Sequence, residues 1–288
     1  MTRTFMNIFS RMIFTVFGIV LISAFLGLFI DGVHLKFSLF IENFIEIIKY
    51  LNNPGQELEV NYIGTKIKLF PGIWSFYLYS IIIFISSFLL SLIISSLISI
   101  ATFFLSKKVV RKIVYLASLL ESLPDIFIII IIQFIVIWIY KKTGLLLFPV
   151  AGAFERAYFL PILTLTILPT IMFYRIIILL MEEEFNKPYT EFGRSKGFRL
   201  LYILCIHVLR NIAISVANHS KSIIWVMLSN LIIFERLFNI YGLFNFIFQN
   251  PNICIICTSL ILFYIPIVIL LSIIRLIIEK TTGQEVLL

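Results

Sequence analysis

The chain alternates long uncharged apolar blocks with short charged segments, and the blocks set its architecture. A helix needs about 20 apolar residues to cross roughly 30 Å of hydrocarbon. Residues 12–30 form one such run, with Arg3 and Arg11 before it and Asp31 after it. No small-x-small cleavage pattern precedes Asp31, so the run reads as an uncleaved first span. The second block, residues 69–106, is too long for one upright span and too short for two. It predicts a lead-in broken at Pro71-Gly72 and one long tilted helix over about 74–105. A third span is expected from Ile113 to Tyr140, interrupted by Glu121 and by Ser122-Leu123-Pro124-Asp125. The fourth is expected over 158–181 with Pro161 and Pro169 inside it, the fifth over 212–234, and the sixth over 252–278 with Pro266. Prolines of this kind are tolerated in membrane bundles.

Between the first two spans the pattern changes. Leu39, Phe40, Phe44, Ile47, Ile48 and Leu51 share one helical face, while Glu42, Glu46, Lys49 and Asn53 share the other. This predicts an interfacial helix ended by Pro54-Gly55. Residues 57–70 alternate weakly, as a short hairpin or a loop would. The whole reads as an all-α membrane protein with six transmembrane helices.

Composition strengthens that reading. Apolar residues are 61% of the chain, charged residues 13%, and 30 Phe occur in 288 positions, more than a single soluble core could bury. The net charge of +8 reflects topology before it reflects any partner, and no nucleic-acid binding is read into it. With both termini in the cytoplasm, 15 of the 23 Lys and Arg fall inside. The inside set is concentrated at Lys107, Lys108, Arg111 and Lys112 and in the connection between spans four and five.

Chemistry-bearing motifs are sparse. Cys254 and Cys257 form a C-x-x-C within an apolar run without His neighbours, which suits two small apolar side chains better than redox work. His34, His207 and His219 lie far apart and without clustered ligands. No phosphate-cradling G-x-x-x-x-G-K-[ST] occurs, so ATP is not expected on this chain, nor is catalysis or a bound metal.

The polar residues concentrate in the connection between spans four and five, residues 182–211. Pro188 ends the outgoing helix, Tyr189 to Lys196 can form a short one, and Gly197 can supply a positive-φ turn. A second helix then carries Leu200, Leu201, Leu204 and Val208 on one side. Such a bent pair makes a protrusion able to dock in a groove of another protein.

The order of residues here resembles a known family. Glu191-Phe192-Gly193-Arg194-Ser195-Lys196-Gly197 is similar to the Glu-Ala-Ala-x-x-x-Gly loop of permease subunits in binding-protein-dependent ABC importers. Tyr189 through Asn211 resembles more closely the dipeptide/oligopeptide/nickel permease family, with Arg194, Lys196, Gly197, His207, Leu209, Arg210 and Asn211 at matching spacing. The Arg210-Asn211 ending resembles the B-type subunit. Ser122-Leu123-Pro124-Asp125, Phe148 to Gly152, Leu160 to Leu165, and Glu235, Phe238 and Gly242 extend the likeness over about residues 74–280. The chain departs at Phe192 and Gly193, where the family has two alanines. It departs also at Ser215, and in span five at Lys221, Trp225, Val226, Ser229 and Asn230, where the family is rich in glycine.

The resemblance implies a type I importer permease fold in the bacterial cytoplasmic membrane, with a first helix and external region over residues 1–73. A five-helix core would follow over 74–280, containing a coupling loop at 186–211, and a cytoplasmic tail over 281–288. It implies heterodimerisation with a C-type permease, two ABC ATPase subunits carrying ATP and Mg, and an extracytoplasmic substrate-binding protein. The coupling residues would be Tyr189, Glu191, Gly193, Arg194, Lys196, Gly197, His207, Arg210 and Asn211. Short peptides are the first expectation for cargo, with nickel or a metal chelate as the alternative. A peptide-sensing subunit and a self-contained secondary transporter are the rivals. Polar groups inside spans are functional candidates, which singles out Asn218, Lys221, Ser229 and Asn230 as translocation-path residues.

Overall fold

The computed structural model describes residues 2–30, 32, 36–53, 58–62, 65–146, 148–152 and 156–283. The Pro54-Gly55 stop, Asp31, His34 and most of the 281–288 tail lie outside them. Six helices among the described residues are long and apolar enough to cross a membrane. The chain divides into two compact units, Met1–Ile81 with Tyr241–Val268, and Ile82–Ile240 with Ile269–Leu288.

The first unit opens with α1 (Thr2–Leu26), continued by a single 3-10 turn at Gly27–Phe29, and α2 (Phe37–Asn52). These helices approach closely because Gly27 has no side chain. A Cβ there would lie 2.5 Å from the Asn43 amide nitrogen and 2.6 Å from Ile253. The Asn43 amide donates to the Ala24 carbonyl at 3.2 Å, which satisfies a polar group within an apolar contact. α2 buries Asn43, Ile47 and Tyr50. Ile48 and Leu51, expected on that face, are exposed together with Ile41 and Ile45. The apolar arc of α2 is wider than the face it buries, and its outward part suits contact with lipid.

The weak alternation after α2 is a hairpin, β1 (Glu59–Tyr62) paired antiparallel with β2 (Thr65–Lys68). It leads into α3 (Leu69–Phe103), which is non-helical at Phe70, next to the expected break. In this unit the Ser80 hydroxyl accepts the Leu243 backbone N–H at 2.7 Å, at the start of α10 (Leu243–Gln249). Phe76 stacks on Phe246 at 4.7 Å. Cys254 and Cys257 are buried in α11 (Ile253–Thr282), as small apolar side chains would be.

The second unit is built around α6 (Phe159–Phe185). Ser87, Ser91, Ser95 and Ser99 form a fully buried stripe of small residues along α3. Such a stripe lets helices pack closely in the membrane. Ser87 donates to the Ile162 carbonyl at 3.1 Å, and Phe88 meets Phe173 edge-on at 5.8 Å.

The third span is shorter than expected. Residues 113–140 do not form one interrupted helix: α4 (Lys107–Glu121) stops, and α5 (Asp125–Thr143) starts afresh. Pro124 disfavours helical conformation at Leu123 and lacks an N–H, so the chain restarts with Asp125 in the first turn. α4 is amphipathic and packs Val110 and Ala117 against Tyr174 and Ile178 of α6. Arg175 of α6 forms an ion pair with Glu121 at the end of α4. Gln133 donates to the Leu237 carbonyl at 3.2 Å, joining α5 to α9 (Leu209–Leu237).

The fifth span also differs from expectation. α8 (Leu200–Tyr202), a π-helical segment at Ile203–Val208, and α9 follow one another without a break, so one helical run spans Leu200–Leu237. The π segment carries more residues per turn than an α-helix and shifts the helical phase. Leu204 and Val208 are buried as expected, but Ile203 joins them and Leu201 points outward.

Candidate functional site

The connection from α6 to α9 is compact and its turns are sequence-determined. Asn186 folds back on the last turn of α6, its amide donating to the Glu182 carbonyl at 2.9 Å. Lys187 is extended, and Pro188 occupies the first turn of α7 (Pro188–Ser195), where its missing N–H costs nothing. Thr190 is almost fully buried. Its single hydroxyl proton is shared between the Phe185 carbonyl at 2.6 Å, which the end of α6 leaves free, and the Lys187 carbonyl at 2.8 Å.

Gly197 ends α7. The Phe198 N–H bonds the Gly193 carbonyl at 3.2 Å and the Gly197 N–H bonds the Arg194 carbonyl at 2.8 Å. This pair of bonds is the Schellman arrangement, and Gly197 has the left-handed φ of 82° that it requires. Among the described residues, a Cβ at Gly197 would meet nothing within 4 Å, so the constraint there is conformational rather than one of space. Gly193 is the opposite case. It is buried, and a Cβ there would lie 3.3 Å from Ile203, which holds α7 against the π segment.

Glu184 lies at the centre of this connection. One carboxylate oxygen accepts both the Tyr189 hydroxyl and the Asn211 amide, each at 3.0 Å. The other oxygen accepts the Lys187 ammonium. The Glu184 residue is 8% exposed, so a carboxylate largely removed from water is satisfied by three donors. Burial, with the bond to Glu184, pushes the Tyr189 phenol up to about 12, so it stays protonated and remains a donor. Glu184 and Lys187 were not among the candidates read from the sequence. Three consecutive glutamates at a helix C-terminus oppose the helix dipole, and that was the available signal that one of them needs donors.

The remaining loop candidates face outward. Glu191, Arg194, Lys196, His207 and Arg210 are exposed. The Arg194 guanidinium lies 4.4 Å from the centre of the Phe185 ring and the Lys196 ammonium 4.3 Å from that of Phe192. His207 meets Tyr202 edge-on at 5.8 Å. Phe192, in a position where the family places a small residue, projects outward, so its bulk is accommodated without displacing the buried side of α7.

The four path candidates separate into two groups. Asn218, Lys221 and Ser229 lie with Trp225 on one exposed face of α9. Asn230 is half-buried and lies near the Asp125 carboxylate at the start of α5. Both residues line a small cavity with Thr164, Leu165, Pro169 and Met227.

Residues 91–284, about two thirds of the chain, match the family described as binding-protein-dependent transport system inner membrane component. The chain belongs to that family. No curated protein matches it. The protein is thus a multi-pass inner-membrane permease of a binding-protein-dependent ABC importer, with the type I permease fold. Permeases of this family work with ABC ATPases and a substrate-binding protein. The matched region contains α4 to α9, and with them both the α7 connection and the polar face of α9.

Proposed function

We propose that the permease forms the B-type half of a heterodimeric pore for short peptides, with a C-type permease as the other half. Its core would be residues 74–280, and its termini would lie in the cytoplasm. α7 would dock on one of two ATPase subunits, which would hold ATP and Mg. Closure of the ATPase pair would then move α6 and α9 and alternate access to the pathway. This chain would carry no catalytic step of its own.

The observation that carries this reading is the α7 connection itself. It is a short helix fixed to two membrane helices, with Glu191, Arg194 and Lys196 exposed and Gly197 closing its end. The spacing of Tyr189, Arg194, Lys196, Gly197, His207, Arg210 and Asn211 supports the peptide-permease branch. The inward side would be rich in Lys and Arg, as the positive-inside rule expects.

The test is purification of the tagged chain from native membranes in mild detergent, with identification of its companions and an assay of vanadate-sensitive ATP hydrolysis. The proposal expects a second permease, ATPases and a peptide-binding protein. Recovery of ATPases with a nickel- or chelate-binding protein would move the cargo to that class. Recovery of the chain alone would remove the proposal.

A further inference from the structure

We infer that Glu184 is a positioning residue for energy coupling: its carboxylate joins α6, α7 and α9 so that a displacement of α7 is delivered to both membrane helices. The inference deepens the reading of α7 as the ATPase-docking helix and rests on it.

The eight residues of α7 are too few to hold a helix or its direction alone, so tertiary contacts must fix both. Three kinds of contact do so. Thr190 ties α7 backward to the last turn of α6. Gly193 rests on Ile203 at the other side. Glu184 belongs to the last turn of α6, takes Tyr189 from the first turn of α7, and takes Asn211 from the first turn of α9. Of these, the Glu184 carboxylate reaches all three helices.

The chemistry suits a mechanical role. Hydrogen bonds to an ionised carboxylate are short-ranged and directional, and stronger than those between neutral groups. A buried carboxylate stripped of its donors would be costly, so the three elements resist moving apart. An apolar residue in the same place could fill the volume, but it would let α7 slide over α9. The π segment contributes to the same end. It shifts the phase of the helix before α9, and Asn211 then meets Glu184 across 27 residues of chain.

The test uses the assembled complex in lipid vesicles, with Cys205 replaced by Ser and Ser229→Cys as a reporter on the exposed face of α9. The readout is the rate at which a membrane-impermeant thiosulfonate modifies the thiol at position 229, with and without ATP and vanadate. A second reporter, Glu191→Cys on α7, is cross-linked to the ATPase. The parent complex is expected to change its labelling rate by about fivefold or more on ATP and vanadate, converted to energy about 1 kcal/mol. Glu184→Ala should keep the Glu191→Cys cross-link and lose most of the ATP-dependent change. Glu184→Gln, which retains an acceptor oxygen, should recover part of it.

Glu184→Ala labelling that responds to ATP as the parent does would overturn the inference while leaving α7 docking intact. Parallel loss of the cross-link and of complex abundance in Glu184→Ala and Glu184→Gln would make the residue merely structural, and would also overturn it. A parent complex with no cross-link at Glu191→Cys would instead remove the docking reading, and this inference with it.

Discussion

The α7 connection and the outer face of α9 are both polar, yet they treat their polar groups in opposite ways. Around α7 the buried groups are satisfied within the chain: Glu184 takes three donors and Thr190 finds two carbonyls. On α9, Asn218, Lys221 and Trp225 stand exposed on a helix that the bilayer must accommodate. Satisfied polar groups make a rigid lever, whereas exposed ones on a membrane helix call for a polar surface or water opposite them. Under the proposed function the first behaviour suits transmission of force and the second suits the pathway or the proposed second permease.

The comparison can be broken by mutation. The largest effect on stability is expected inside the bundle. Asn230→Leu removes the polar neighbour of the Asp125 carboxylate in the cavity they share and should lower stability by about 1–3 kcal/mol. Thermal unfolding of the purified complex in detergent measures this, and an unchanged midpoint would show that Asp125 does not depend on Asn230. Gly27→Ala comes next, because its Cβ would meet Asn43 and Ile253 in a packed contact. The expected cost is about 1–3 kcal/mol, seen as increased proteolysis of the region from α1 to α2.

Gly197→Val acts through conformation alone. A β-branched side chain at φ 82° costs about 1–2 kcal/mol locally and should unwind the end of α7. Coupled transport should fall while membrane insertion stays normal, and Gly197→Asn should be milder because Asn tolerates the left-handed region. Normal transport by Gly197→Val at equal abundance would show that the turn is not needed. The smallest stability change is expected on the exposed face of α9. Asn218→Leu should alter stability by less than about 0.5 kcal/mol but reduce recovery of the proposed second permease. If it destabilised the chain as much as Asn230→Leu, the two faces would not differ as described.

The sequence disclosed the elements that depend on local pattern. Long apolar runs located the six spans, Pro188 and Gly197 bounded α7, and the positive φ at Gly197 followed from residue type. Contacts between distant residues were not legible. Arg175 and Glu121 are 54 positions apart, and neither shows by itself that it will find the other. Glu182, Glu183 and Glu184 look equivalent in sequence. Only the phase of α6 against the start of α9 decides that Glu184 turns inward, and the π segment contributes to that phase. The same segment is why Leu201 faces outward, since a uniform 3.6-residue period cannot foresee it. The break between α4 and α5 was visible as Pro124, but an apolar pattern continuing on both sides of it reads as one span.

The proposed coupling places α7, held by Glu184, against the ATPase. The most direct measurement places single cysteines at Glu191, Lys196 and Asn218 in the native complex and cross-links each with a short bifunctional reagent. ATPase adducts are expected from positions 191 and 196, and a permease adduct or none from position 218. ATPase adducts from position 218, or none from either position on α7, would contradict the proposed coupling.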